Sequence, residues 1–353
     1  MQELIGKLGN NFLIAALVPA LAFVTLVMIV FAPIMPPAIP YKIQDTLAPI
    51  GQNAILLLIM TIVLGFTLWS LNTYIYKLLE GYHLLARLKC GRRRQIRKRQ
   101  KLLNQLMQVE DKIAYLQVHP DDKRSTLQEL KDLRYYILAE LNLRFPPAEQ
   151  AILPTGFGNI LRAAEAYSAD RYGIDAVRLW PRLVQVIPPS YYEKIDQSNN
   201  GLAFLVNCSI LSLLFGALCV LAAGYQGLVW YLCQAGKSRV LYFVPIDYPV
   251  EVYQQRLCIY LVILGLALLL SAFFYKGTFP LVMQYGNMIR SSFDLFRFEL
   301  LQQFKLELPP DSKREYDLWK KISEFIAIGE RLGPLNFEYQ FAAESKDESG
   351  PRQ

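Results

Sequence analysis

Four long stretches of the chain carry no charged residue. Phe12–Ala32, "FLIAALVPALAFVTLVMIVFA", has 21 residues, Ala54–Tyr76 has 23, Leu202–Trp230 has 29 and Leu257–Tyr275 has 19. A helix rises about 1.5 Å per residue, so roughly 20 apolar residues cross a hydrocarbon core about 30 Å thick. Four such runs predict an all-α integral membrane protein with four transmembrane helices. The first run is long for a cleaved leader and its N-terminal flank is weakly basic, Lys7 against Glu3, so a retained anchor is expected.

Between and after the runs the apolar period changes. Leu102, Leu106, Val109, Ile113 and Leu116 form one helical stripe, and Leu127, Leu130, Leu133, Ile137 and Leu141 a second. "HPDDK" (119–123) turns the chain between them. The expectation is an antiparallel helical hairpin continuous with the second span. "FPP" (145–147) ends it, because proline cannot extend a helix.

Leu153–Leu183 is broken by Gly156, Gly158, Gly173, Pro154 and Pro181 into short helices and turns. Phe157, Leu161 and Ala164 give one apolar side, and Ile174, Val177 and Trp180 another. Beyond the fourth span, Ile289, Phe293, Phe296, Leu300 and Phe304 share a helical face. "LPPDSKRE" stops that helix, and Ser312 with Glu315 makes a capping-box pattern for a last helix carrying Leu318, Trp319, Ile322 and Ile326. The pattern therefore divides the chain into spans 1 and 2 with a short outer loop (1–76), a helical domain (77–200), spans 3 and 4 with an outer loop (201–276), amphipathic helices (277–341) and a disordered polar tail (342–353).

Composition agrees with the membrane class: 53% of the residues are hydrophobic and 19% charged. The formal net charge of +7 favours anionic partners. Of 37 Lys and Arg residues, only Lys42, Lys237, Arg239 and Arg256 fall in 33–53 and 231–256. By the positive-inside rule both termini and the 77–200 segment belong in the cytoplasm. No Asp, Glu, Lys, Arg or His lies within a run, which argues against a pump or a proton-coupled transporter. Asn72, Asn207, Ser209, Ser212, Thr25, Thr61 and Thr67 are suited to hydrogen-bonded packing between helices. Five cysteines without metal-type spacing and two histidines predict no metal site, and no cofactor is implied.

Two charged constellations are candidate sites. "CGRRRQIRKRQK" places seven cations between Cys90 and Lys101: Arg92, Arg93, Arg94, Arg97, Lys98, Arg99 and Lys101. Topology needs only a few charges, and Lys77, Arg87 and Lys89 already supply three. The cluster reads either as a contact with anionic lipid head groups, through Arg92, Arg93, Arg94, Arg97, Lys98 and Arg99 in particular, or as a solvated charged helix with a redundant topogenic signal. The seven positions spread around most of a helix, so one shared protein salt-bridge surface is not expected. Nucleic acid is disfavoured, because no aromatic residues interleave with the cations to stack on bases. The second constellation is Arg162, Glu165, Asp170, Arg171, Asp175, Arg178 and Arg182. It reads either as ion pairs of a structural hub or as a ligand or catalytic pocket, and "GFG" before a helix could offer backbone N–H groups to a phosphate.

"LPTGFGNILRAAE", "YGIDAVRLWPRL" and "SSFDLFRFELLQQFKLELPPDSKREYDLW" resemble segments of a bacterial family of multi-span membrane proteins of unknown function, over Leu153–Trp319. The resemblance implies a bacterial plasma-membrane setting and a domain layout, and no activity or catalytic residue. The expected function is a membrane-anchored scaffold or regulatory protein that assembles with itself or with a partner protein. An oligomeric channel and a membrane-bound enzyme using the 162–182 cluster are the alternatives.

Overall fold

The computed structural model describes residues 12–31, 50–82, 89–118, 124–235, 249–329 and Phe337. All regular structure among these residues is helical. The helices are α1 (Val18–Phe31, preceded by a π-helical turn Leu13–Leu17), α2 (Ile50–Glu80), α3 (Lys89–Val118), α4 (Arg124–Arg144), α5 (Gly156–Tyr172), α6 (Ala176–Leu183), α7 (Pro189–Gln234), α8 (Val250–Gln303) and α9 (Ser312–Ile328). Four helical stretches, Leu13–Phe31, Ala54–Glu80, Pro189–Gln234 and Val250–Gln303, are long and apolar enough to cross a membrane. The chain forms two compact units: Met1–Leu84 with Asp196–Val282, and Leu85–Ile195 with Met283–Gln353.

The first unit is built from the apolar runs, and its few polar groups join helices. Pro19 has no N–H, which disturbs hydrogen bonding one turn earlier, where the chain is π-helical. Asn207 Nδ2 of α7 donates to the Ala15 carbonyl there at 2.7 Å. Ser209 and Ser271 each donate to the other's carbonyl, at 3.1 and 3.0 Å, and clamp α7 to α8. Gly216 admits Leu264 and Ala267, whose side chains would stand 3.3 and 3.6 Å from an added Cβ. Phe215, Cys219 and Ala267 centre one apolar cluster, against which Phe23, Val27 and Phe31 of α1 pack. Gln226, outside the set of in-span polar residues read from sequence, is fully buried.

In the second unit α3 and α4 form the hairpin. Val109, Ile137, Leu141 and Phe145 make its buried seam, flanked by Leu102, Leu106, Ile113 and Leu130. Arg134 Nε donates across it to Glu110 Oε1 at 2.9 Å. Leu133, assigned to the stripe by spacing, is exposed instead. The "HPDDK" turn lies outside the described residues. The hairpin is not continuous with the second span. Gly81, at φ 93°, closes α2, and the N–H groups of Gly81 and Tyr82 both reach the Lys77 carbonyl.

A larger core gathers α5 to α9. Ile174, Leu179, Leu183, Phe293, Leu301 and Trp319 are all but inaccessible there. The face read from Ile289 to Phe304 does point into this core, with Phe293 and Leu300 buried and the others partly so. It belongs to the same helix as the fourth apolar run, since α8 continues through Pro280. Phe157, Leu161 and Ala164 are buried. Of the other proposed side, Ile174 is buried, Trp180 only partly so, and Val177 is 61% exposed. The tryptophan at the centre is Trp319. The expected capping box is also displaced by one residue. Asp311 caps α9, accepting from the N–H groups of Lys313 and Arg314 at 3.0 and 2.9 Å, which frees Glu315 for the interior.

Candidate functional site

The basic stretch occupies the start of α3. Gly91 lies where a Cβ would meet Pro154 at 3.1 Å, so the helix sits close against the chain before α5. Arg92 Nε donates to the Ile152 carbonyl at 3.1 Å, and its Nη2 reaches the carbonyls of Glu149 and Gln150 at 3.3 and 3.4 Å. Arg99 Nη2 donates to the Pro147 carbonyl at 2.9 Å. These two arginines satisfy carbonyls of the proline-broken 145–152 connector. Arg93, Arg94, Arg97, Lys98 and Lys101 are exposed, and none makes an ion pair among the described residues. At about 100° per residue, Arg92 and Arg99 face one side, and the other five cations share an arc of about 140°. Seven scattered charges are thus two structural arginines and one cationic stripe.

The 162–182 constellation resolves into local pairs. Arg162 donates to Glu165 at 3.1 Å. Asp175 caps α6 through the Arg178 N–H at 3.1 Å and also pairs with the Arg178 guanidinium. Arg182 turns back to the Arg178 carbonyl at 3.0 Å. Arg162, Glu165, Asp170, Asp175 and Arg178 do line one cleft of about 690 Å³, with Asp170 the one member that pairs with no cation among the described residues. The "GFG" segment is used internally. Thr155 Oγ1 accepts from the Gly158 N–H at 3.0 Å, and the buried Asn159 side chain bonds to Leu153 N, Leu153 O and Thr155 O. The N-terminus of α5 is therefore capped from within.

Arg171 belongs to a different cluster, which spacing alone did not reveal. Its Nη1 donates to Tyr167 Oη at 2.9 Å. Tyr167 Oη lies 3.1 Å from both Asp294 oxygens, and Tyr172 Oη donates to Asp294 Oδ1 at 2.7 Å. Burial, then the bond to Asp294, pushes the Tyr172 phenol above its ordinary value, so it stays a donor. Arg297 lies 4.3 Å from the Tyr172 and Phe298 ring centroids, donates to the Asp294 carbonyl, and pairs with Glu315 at 2.6 Å. Arg290 completes the group, 5.7 Å from the Tyr167 centroid. Tyr167, Arg171, Asn287, Arg290, Ser291 and Asp294 line a cleft of about 950 Å³. Asp294 and Arg297 stand three apart on α8, inside "SSFDLFRFELL"; only the fold brings Tyr167 and Tyr172 to them.

This arrangement can bind but shows no nucleophile–base pair. No group of three or more His, Cys, Asp or Glu side chains able to hold a metal occurs among the described residues. No family model, curated protein or solved structure matches the chain.

Proposed function

We propose that the chain is a membrane-anchored scaffold or regulatory protein of the bacterial plasma membrane, with the helical unit of Leu85–Ile195 and Met283–Gln353 in the cytoplasm. The observation that carries this reading is the outward face of α3. Its inner side is spent on the seam with α4 and on the 145–152 connector. The opposite side presents the five-cation stripe and then, farther along, the exposed apolar side chains of Met107, Tyr115 and Val118. Cations followed by apolar anchors on one rigid helix suit an anionic leaflet at one end and a partner protein or second copy at the other. A photo-crosslinking residue at Met107 should give a discrete protein adduct in intact cells. A free chain with no adduct at Met107, under conditions where a control membrane protein crosslinks, would sink the scaffold reading.

Orientation rests on the distribution of basic residues. A membrane-impermeant thiol reagent should react with Cys233 in intact cells and reach Cys90 only after permeabilisation. Cys90 is exposed on α3, so its protection would come from the membrane and not from burial. Labelling of Cys90 without permeabilisation would reverse the topology.

A further inference from the structure

Arg290 is a buried cation with no salt-bridge partner among the described residues, the Asp294 carboxylate being its one nearby acidic influence. The residue is 9% exposed and makes no ion pair among the described residues. Its Nη1 donates to Asn287 Oδ1 and its Nη2 to the Asn142 carbonyl, both at 3.0 Å, while Nε has no hydrogen-bond partner among the described residues. Burial pulls this guanidinium below the ordinary arginine value. A desolvated charge of this kind is costly unless an anion and further hydrogen bonds offset it.

Arg171 supplies a second cation at the open end of the same cleft. Its guanidinium lies 5.6 Å from the Tyr167 centroid and that of Arg290 5.7 Å, so the two are within about 11 Å of each other. Neither forms a salt bridge among the described residues, although the Asp294 carboxylate attracts both. The nearest candidate, Asp294, already accepts from the hydroxyls of Tyr167 and Tyr172. Asp170, the other acidic residue lining the cleft, is exposed at its rim. We propose that this cleft binds a phosphate group, held by Arg290 from its buried end and by Arg171 from its open end. The phosphate of a lipid head group and that of a soluble phosphate ester offer the same oxygens to two guanidinium groups. The volume of about 950 Å³ leaves room for the ester's organic part.

The site is separate from the α3 face, and the test keeps them apart. The full-length protein in uncharged detergent is titrated calorimetrically with inorganic phosphate, glycerol phosphate, dihexanoyl phosphatidylglycerol and, as control, dihexanoyl phosphatidylcholine. Arg290→Lys, Arg290→Gln and Arg171→Gln are compared with the parent. Because Arg171 is exposed, its variant folds even if Arg290→Gln does not. Binding should fall about tenfold or more in Arg171→Gln, and as far or farther in Arg290→Gln, with partial recovery in Arg290→Lys. A response to all three anions assigns a soluble ester, and a response to the anionic lipid alone assigns a head group. A variant with Arg93, Arg94, Arg97, Lys98 and Lys101 changed to Gln should keep this binding, losing only salt-sensitive attraction to anionic lipid. No phosphate-ligand binding in the parent, or equal binding in the parent and Arg171→Gln, overturns the proposal.

Discussion

Replacing Trp319 by Ala is expected to destabilise the helical unit by about 3–5 kcal/mol, the usual range for removing a large aromatic side chain from a core. Trp319 is 0% exposed and is packed in one cluster with Ile174, Leu179, Leu183, Phe293, Leu301 and Ile322. It therefore ties α9 to α6 and α8, and little can collapse into the space it leaves. Domains are commonly stable by about 5–15 kcal/mol, so such a loss is a large share of the total. Trp319→Phe separates volume from polarity. The indole Nε1 has no hydrogen-bond partner among the described residues, so Phe sacrifices part of the packing and none of these bonds. It should cost well under half as much as Ala. Trp180→Ala serves as the contrast, because that ring is only partly buried and its loss removes less apolar surface. Scanning calorimetry of the detergent-purified protein gives all three. An unchanged transition in Trp319→Ala would refute its place at the centre of the core.

The choice between Trp180 and Trp319 shows what sequence can and cannot convey. Periodicity places Ile174, Val177 and Trp180 at three-residue intervals on one short helix face. Yet α6 has only eight residues and meets its core through Leu179 and Leu183, which leaves Val177 in solvent. On long elements the same reasoning works well. The four apolar runs and the face from Ile289 to Phe304 recur as helices and as a core-facing surface, because a repeated period averages out single exceptions. Local chemistry was legible only within a few residues. Asp311 rather than Ser312 caps α9, a shift of one position that moves Glu315 from a cap to the interior.

The charged sites mark the sharper limit. The 162–182 cluster stands out in sequence because its charges are adjacent, and adjacency is also what lets Arg162–Glu165 and Asp175–Arg178 pair locally. The group with fewer internal answers joins Tyr167 to Asp294 across 127 positions and Arg290 to Asn142 across 148. No spacing rule links such positions. The sequence did place Asp294 four positions after Arg290 on a helix whose apolar face is buried, but not the two tyrosines that occupy that carboxylate. The basic stretch falls between these cases. Its charge was evident, but dividing it into Arg92 and Arg99 and an outward stripe required knowing that the 145–152 carbonyls lie beside α3.

Glu315→Gln is expected to cost about 3–5 kcal/mol, comparable to the loss of Trp319, for an electrostatic reason. The Arg297 and Glu315 side chains are 15% and 10% exposed and meet at 2.6 Å. Arg297 is further confined by the rings of Tyr172 and Phe298 and by the Asp294 carbonyl, so it cannot swing out to water when its partner is neutralised. Gln preserves the shape and leaves a buried guanidinium without its paired carboxylate. Removing both charges should behave differently. Arg297→Met with Glu315→Leu replaces two desolvated ions by apolar side chains of similar length, and buried pairs exchanged in this way often lose little stability. The double variant should therefore be more stable than either Glu315→Leu or Arg297→Met alone, with a coupling energy of about 0.5–3 kcal/mol in the double-mutant cycle. The cycle also bears on the neighbouring cleft. Arg297 covers Tyr172, which holds Asp294, so the double variant should loosen the phenol–carboxylate cluster even where stability is restored. Slow amide hydrogen exchange around Tyr172 and Asp294 should be lost in the double variant if Arg297 orders that cluster. Additive single-variant costs would show that the pair is not coupled and that each residue contributes through its packing alone.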